Sequence, residues 1–139
     1  MNAFPFLTVK QAMVLLRVAI AVMFMAHAGV RAMNGTIPRF AEYLTGLGFF
    51  YAIGWVWAIT LFELIGGAML IMGQFSRWMA AGFMLISGGG IVLIHAAKGW
   101  FVGEHGNGGV EYSIVLFVAC VVLAAVERER SSNAGLATR

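Results

Sequence analysis

The chain has 139 residues, of which 61% are hydrophobic and only 11% are charged. A soluble domain carries about 25% charged residues, so this composition excludes a domain that is wetted on all sides and indicates a protein solvated by lipid. The net charge of +3 comes from scattered Lys and Arg. No basic run or aromatic–basic surface is present, which excludes nucleic acid as a partner.

Four apolar segments are long enough to cross a bilayer, which takes about 20 residues each. The predicted spans cover residues 12–33, 50–72, 77–101 and 109–126. Each span must be helical, because a helix satisfies its own backbone groups in lipid. Short turns at 73–77 and 102–108 make neighbouring spans antiparallel. We therefore predict an all-α, integral membrane, antiparallel four-helix bundle as a single domain over residues 1–126, with a polar, disordered tail over 127–139.

The loop after the first span has the pattern of a short interfacial helix. Pro38 suits a first helical turn. Phe40, Tyr43, Leu44 and Leu47 share one face at helical spacing. We expect this helix to lie at the membrane surface and to cover one end of the bundle as a lid.

The distribution of positive charge predicts the orientation of this multi-pass chain. With four spans, both termini and the second loop share one side of the membrane. That side carries Lys10, Arg77, Arg128, Arg130 and Arg139. The other side carries Arg31, Arg39 and Lys98. Because cytoplasmic loops are enriched in Lys and Arg, we predict that both termini are cytoplasmic.

The first span carries a polar stripe that a lipid-exposed helix would not carry. At about 100° per residue, the members of the stripe fall within one arc of roughly 120°. They are Lys10, Arg17, His27, Arg31 and Asn34. The stripe therefore faces the interior of the bundle.

Glu63 lies near the middle of the second span, on the same side as Thr60, Gly66 and Gly67, whose small size allows another helix to approach. An unpaired charge at this depth costs about 2.5–3.5 kcal/mol. Arg17 lies about 8 Å and Glu63 about 15 Å above the cytoplasmic boundary at 1.5 Å per residue. This predicts an Arg17–Glu63 pair. Two roles stay open for it: fixing helix register, or relaying protons to a ligand.

The strongest candidate for a binding site lies toward the outer face, where polar residues from three spans come to similar depth. They are His27, Arg31, His95, Lys98 and Glu111. Hydrogen bonds between helices would explain the histidines equally well. A quinone would suit the set, because its carbonyls need donors and its reduction needs proton carriers. A haem held by both histidines is a lesser alternative, and a metal held by His27, His95 and Glu111 is weaker still.

Five short motifs, with Arg77, resemble the DoxX family of small four-helix integral membrane proteins. They are LLR (15–17), AHAGVRAM (26–33), FELIGGAMLIMG (62–73), IHAAKGWF (94–101) and GGVEYSIVL (108–116). One departure is Arg31, where the family more often has lysine. The resemblance implies a bacterial membrane bundle. It also implies a role near quinone-linked oxidation of sulfur compounds or thiol and oxidative-stress balance, although most members of the family have no established activity.

These observations lead to one functional hypothesis with two alternatives. The hypothesis is a component of a quinone-linked redox system in the bacterial cytoplasmic (inner) membrane, with the outer polar set as the cofactor-binding site and with no catalytic residue assigned. Cys120 is the single cysteine, so the chain cannot shuttle electrons through a cysteine pair, and turnover would need a bound cofactor or a partner subunit. The alternatives are an assembly subunit that recruits redox partners and a small proton-coupled permease, which would need a homo-oligomer.

Overall fold

The computed structural model of the chain describes residues 6–101 and 109–137, with side chains described as far as residue 130. Helices make up most of this part of the chain. They are α1 (Val9–Met33), α2 (Ile37–Gly46), α3 (Ala52–Met72), α4 (Ser76–Gly90) and α5 (Glu111–Ala137). Between α4 and α5 the chain forms a π-helix (Ile91–His95) and a 3₁₀ turn (Ala96–Lys98). The predicted turn over 102–108 lies outside the described residues.

Helix α1 begins three residues before the predicted span because a capping box forms at its N-terminus. Thr8 Oγ1 accepts a hydrogen bond from the Gln11 backbone N–H at 3.3 Å, and the Thr8 backbone N–H donates to Gln11 Oε1 at 2.9 Å. The two residues thereby satisfy two backbone N–H groups that a helix start leaves without partners. The first helix is thus longer than its apolar core.

Three helical segments in the described part of the chain are long and apolar enough to cross a membrane. They are Val9–Met33, Ala52–Met72 and Ser76–Lys98. Helix α5, which contains the fourth predicted span, is not among them. Its uncharged run from Tyr112 to Val126 has about 15 residues, short of the roughly 20 that span a hydrocarbon core. A four-span antiparallel membrane bundle therefore stays a prediction.

The C-terminal tail differs from the prediction. Residues 127–137 continue α5 instead of being disordered. The tail is rich in Glu, Arg and Ala, which favour helix. Arg130 donates to Glu127 at 2.9 Å across one helical turn, a spacing that supports an exposed helix. Polarity alone thus led to a wrong expectation for this segment.

Helix α2 forms where the interfacial helix was predicted. It has Pro38 in its first turn and ends at Gly46. Its buried residues are Ile37, Ala41 and Leu44, which pack against Ala52 and Val56 at the start of α3. The buried face is therefore rotated toward Ala41 relative to the prediction, and it packs α2 against the start of α3.

Glycine contacts set the register of the central helices. A Cβ built on Gly67 of α3 would lie 3.4 Å from the Ala21 carbonyl oxygen of α1, and one on Gly66 would lie 3.3 Å from Met79 Sδ of α4. Helix α3 thus meets α1 on one side and α4 on the other, as the small residues predicted. Phe83 of α4 joins the three helices, because its ring lies 4.3 Å from that of Phe24 in α1 and 5.3 Å from that of Phe62 in α3.

Gly73 ends α3 in a left-handed conformation, with φ at 75°. Its N–H donates to the Leu70 carbonyl at 3.1 Å, and the Gln74 N–H donates to the Met69 carbonyl at 2.9 Å. This pair of bonds is the Schellman arrangement, which favours glycine. A Cβ on Gly73 would also lie 3.0 Å from Nη1 of Arg17, so the guanidinium occupies the space of a side chain.

We predict that Gly73→Ala lowers the free energy of unfolding by more than about 1 kcal/mol, because alanine is strained at positive φ and must displace Arg17. Denaturation in mixed micelles measures the change. Gly29→Ala is the matched control, since nothing lies within 4 Å of its Cβ position in helix α1. Equal stability of the two variants would contradict this account of the helix end.

Candidate functional site

A cavity of about 900 Å³ lies beneath helix α2, with residues of all five helices and of the π-helix in its wall. Most of the wall is apolar. The charged and imidazole side chains in the wall are His27, Arg31, Arg39, Glu63, His95 and Lys98. An apolar space of this size with a few convergent polar groups is the usual form of a small-molecule site.

The centre of the polar wall is a bond between Arg31 of α1 and Glu63 of α3. Arg31 Nη1 donates to Glu63 Oε2 at 2.8 Å and to Thr60 Oγ1 at 2.8 Å. Thr60 donates its own hydroxyl to the Val56 carbonyl at 2.7 Å, so its oxygen is oriented to accept from Arg31. The Arg31 side chain is 15% exposed and that of Glu63 only 3%. Burial removes water as a competitor and makes this charge-assisted bond strong.

The predicted Arg17–Glu63 pair was wrong, since Glu63 pairs with Arg31. Helices α1 and α3 are antiparallel with Ala21 beside Gly67. From this register, the Cα of Arg31 lies about 9 Å outward of Glu63, and that of Arg17 about 12 Å inward. Cα–Cβ bonds tilt toward the N-terminus of their helix. Arg31 and Glu63 therefore lean toward each other, whereas Arg17 leans away from Glu63.

Arg17 lies instead at the C-terminal end of α3, with its guanidinium beside Gly73. The last carbonyls of a helix have no intrahelical partner and carry partial negative charge, which favours a cation there. Arg17 Nε is buried and has no hydrogen-bond partner in the described part of the chain. Arg17 is absent from the cavity wall, so it belongs to the opposite end of the protein from the candidate site.

The predicted third span does not stay α-helical to its end. After Gly88, Gly89 and Gly90, which have low helix propensity, the chain continues as the π-helix Ile91–His95. π-Helical segments are rare and are found frequently at functional sites. This segment forms part of the cavity wall, and it changes the register of every residue that follows it.

Helix α2 is attached over the cavity by two contacts. The Tyr43 hydroxyl donates to the Leu93 carbonyl of the π-helix at 2.6 Å. The Arg31 guanidinium carbon lies 5.3 Å from the centroid of the Phe40 ring, a cation–π distance. These contacts join α2 to α1 and to the π-helix, so α2 forms one wall of the cavity, and its role as a lid stays a prediction.

The two histidines line the same cavity but have different surroundings. His27 Nδ1 lies 2.9 Å from the Met23 carbonyl one turn earlier in α1, and this contact orients the ring. His95 Nδ1 is buried and has no hydrogen-bond partner among the described residues. Buried polar atoms are nearly always paired in native proteins. The structure therefore leaves a polar atom of His95 available in the wall of the cavity.

The structure brings together four of the five residues predicted for the outer site. His27, Arg31, His95 and Lys98 line the cavity, while Glu111 does not. The Glu111 backbone N–H donates to the Trp100 carbonyl at 3.1 Å, which places the start of α5 beside the end of the 3₁₀ segment. Whether the four lining residues bind a ligand stays a prediction.

Metal coordination by His27, His95 and Glu111 is not supported by the geometry. Within residues 6–101 and 109–137, no three side chains of His, Cys, Asp or Glu come close enough together to hold a metal ion. Several lining residues were missed as site residues from the sequence. Among them are Arg39, considered only for orientation, and Tyr43, considered only as part of an apolar face. The Tyr43 hydroxyl was the available signal, since a tyrosine at an apolar surface usually finds a polar partner.

A comparison with protein families gave a match over the part of the chain that holds most of the cavity wall. The profile of the DoxX family matches residues 12–96, more than half of the chain. The chain belongs to the DoxX family. The matched segment includes both partners of the Arg31–Glu63 bond and both histidines of the cavity, and it ends before Lys98 and Glu111. With its long apolar helices, this DoxX protein is embedded in a membrane. No curated protein and no solved structure gave a significant match.

A double-mutant cycle tests the pairing of Glu63. Arg31→Met and Glu63→Gln each remove one partner of a buried pair, and we expect each to cost about 3–5 kcal/mol of unfolding free energy. Together they should cost less than the sum of the single changes, with a coupling of about 1–3 kcal/mol. Unfolding in mixed micelles gives all four free energies.

The matched cycle uses Arg17→Met with Glu63→Gln. Because Arg17 lies at the other end of α3, these two changes should add to within about 0.5 kcal/mol. A larger coupling to Arg17 than to Arg31 would restore the pairing expected from the sequence and would contradict the structure.

Tyr43→Phe tests the attachment of the lid. Removing the hydroxyl leaves the Leu93 carbonyl without this donor, at a cost of about 1 kcal/mol. We expect faster amide hydrogen exchange in α2 with little change elsewhere. Tyr51→Phe is the control, since Tyr51 is exposed and lies outside the cavity wall. Unchanged exchange in α2 would show that the hydrogen bond does not fasten the lid.

Proposed function

We propose that this DoxX protein is a membrane component of a quinone-linked redox system and that it binds a quinone headgroup, or a small polar ligand of similar size, in the cavity. The observation that carries the proposal is the buried Nδ1 of His95, which lines an otherwise largely apolar cavity and has no partner among the described residues. A quinone offers carbonyl acceptors on an apolar ring, which matches such a wall.

The lining residues supply the two functions that a quinone needs. His95 and Lys98 are donors for a carbonyl oxygen, and they lie on the segment that follows α4. When bound, a quinone would accept electrons and protons. His27 and Glu63 are the side chains of the wall suited to carry protons, and both belong to helices that cross the membrane.

Arg31 has a positioning role in this proposal. Its guanidinium is bonded to Glu63 and Thr60, so it is oriented before any ligand arrives. A donor group that is already held in place loses little further conformational entropy when a ligand binds. Electrons would come from a partner subunit or a bound cofactor, because a single cysteine provides no paired-thiol route.

The proposed setting is the bacterial cytoplasmic membrane, with both termini in the cytoplasm. Arg77 and Arg128 lie at one end of the helices, and Arg39 and Lys98 lie at the cavity end. When the cations of the N-terminal segment are counted as well, the end with Arg77 and Arg128 carries more positive charge than the cavity end. This distribution supports the proposed orientation. The cavity would then open near the outer face of the membrane.

Binding to the purified full chain tests this proposal. We expect lipid extracts of protein purified in mild detergent to contain quinone, as measured by mass spectrometry. Titration with decylubiquinone should show about ten-fold weaker binding for His95→Phe, since one hydrogen bond to a buried group is lost. Gln74→Leu is the control, since Gln74 is exposed and lies outside the cavity wall.

Other results would redirect the assignment. Equal quinone binding by His95→Phe and the parent would contradict the site, and absence of binding in both would contradict the function. A Soret band would indicate haem. A protein that co-elutes in place of a quinone would favour an assembly subunit, and pH-dependent flux into proteoliposomes would favour a proton-coupled permease built from an oligomer.

A further inference from the structure

The described wall of the cavity contains more positive than negative charge. Its cations are Arg31, Arg39 and Lys98, and its carboxylate is Glu63. Arg31 and Glu63 are bonded to each other, so their charges compensate. The charges of Arg39 and Lys98 remain in excess. Such an excess attracts an anion, with an attraction that water and salt partly screen because both side chains are exposed.

Arg39 and Lys98 come from different elements, and both line the cavity. Arg39 precedes Tyr43 by one turn of α2, and Lys98 ends the 3₁₀ turn that follows the π-helix. The hydrogen bond from Tyr43 to Leu93 joins α2 to the π-helix that precedes this turn. Both cations are exposed, and neither forms a salt bridge with any other residue that the structure describes.

The rest of the wall suits a hydrocarbon chain. It includes the side chains of Phe24, Val30, Ile59, Leu85, Leu93 and Leu116. Val30 is 57% exposed and Leu85 79% exposed, and both belong to helices long enough to cross the membrane. The cavity is therefore continuous with an apolar outer surface, through which a lipid-soluble tail can enter.

We infer that the cavity binds an amphiphile with an anionic head, a carboxylate or a phosphate, placed at Arg39 and Lys98 with its hydrocarbon tail along the apolar wall. This inference goes beyond the proposed function, since it assigns a second class of ligand to the same cavity. A quinone headgroup is uncharged, so it could accept a hydrogen bond from Lys98 but would leave the positive charges of Arg39 and Lys98 uncompensated. An anionic amphiphile uses both the charge and the apolar wall.

Calorimetric titration of the full chain in a neutral detergent tests the charge of the head. The probes are dodecanoate and dodecanol, which share a tail and differ in charge at about pH 8, where the carboxylate is ionised. Titration into protein-free micelles corrects for partitioning. We expect dodecanoate to bind about ten-fold more tightly, as two partly screened ionic contacts would allow.

Variants assign the preference to the two cations. In the Arg39→Gln/Lys98→Gln double variant, the preference for dodecanoate should disappear. The control is Arg77→Gln/Arg128→Gln, which removes the same charge from exposed residues outside the cavity wall and should keep the preference. Thermal unfolding of both variants verifies folding. If a double variant does not fold, its two single variants are tested instead. Each single variant at Arg39 or Lys98 should lose part of the preference for dodecanoate over dodecanol.

Three outcomes would overturn the inference. They are equal binding of dodecanoate and dodecanol by the parent, a preference that survives in Arg39→Gln/Lys98→Gln, and acetate or inorganic phosphate binding as tightly as dodecanoate. The last outcome would indicate a small free anion. Dodecyl phosphate in place of dodecanoate separates a phosphate head from a carboxylate head, and tighter binding of either one supports an anionic amphiphile.

A decylubiquinone titration of the same preparation distinguishes this inference from the proposed function. Binding of the quinone without any preference for dodecanoate would leave the proposed function standing and overturn the anionic ligand. Binding of dodecanoate through Arg39 and Lys98 without quinone binding would support the anionic ligand and overturn the proposed quinone function. Failure of both ligands would overturn both.

Discussion

The buried bond between Arg31 and Glu63 is the constraint on which the rest of the structure depends. A carboxylate near the middle of an apolar helix is costly unless a cation meets it there. Arg31 reaches Glu63 from near the end of α1, so it fixes the register of α1 on α3. The same guanidinium contacts Phe40 of α2. One side chain thus connects three helices at the wall of the cavity and places the lid relative to the charge.

The two arginines of α1 illustrate how direction along a helix separates similar residues. Both belong to the polar stripe of α1, and their distances from Glu63 along the helix axis are similar. Because side chains lean toward the N-terminus of their helix, only Arg31 converges with Glu63 in an antiparallel pair. Arg17 contacts the end of α3 at Gly73, where exposed carbonyls favour positive charge. The same residue type therefore organises the candidate site in one place and a helix terminus in the other.

The irregular segment after α4 gives the cavity its chemical character. Irregular backbone within a membrane is tolerated where protein or a cavity covers it. Here Tyr43 satisfies the Leu93 carbonyl, and the segment carries His95 and Lys98 into the cavity wall. A straight helix would have placed these two residues in a different register. Two of the polar groups in the wall, His95 and Lys98, thus lie on irregular backbone, as is common for binding sites.

Composition and spacing alone determined that the chain is a helical membrane protein, because lipid permits few alternatives for so apolar a sequence. The inward orientation predicted for the polar stripe of α1 holds for Arg17 and Arg31, which are partly buried, whereas Lys10, His27 and Asn34 are exposed. The same information placed a helix around Pro38 and assembled His27 and His95 into one candidate site. It did not determine the partner of Glu63, since a residue count gives depth along a helix but not the direction in which a side chain leans. It also missed the π-helix and the continued C-terminal helix. The continued C-terminal helix rests on local helix propensity, which the polarity of the segment concealed. Only the tertiary structure decided the partner of Glu63 and which residues line the cavity, because both depend on contacts between helices that are distant in sequence.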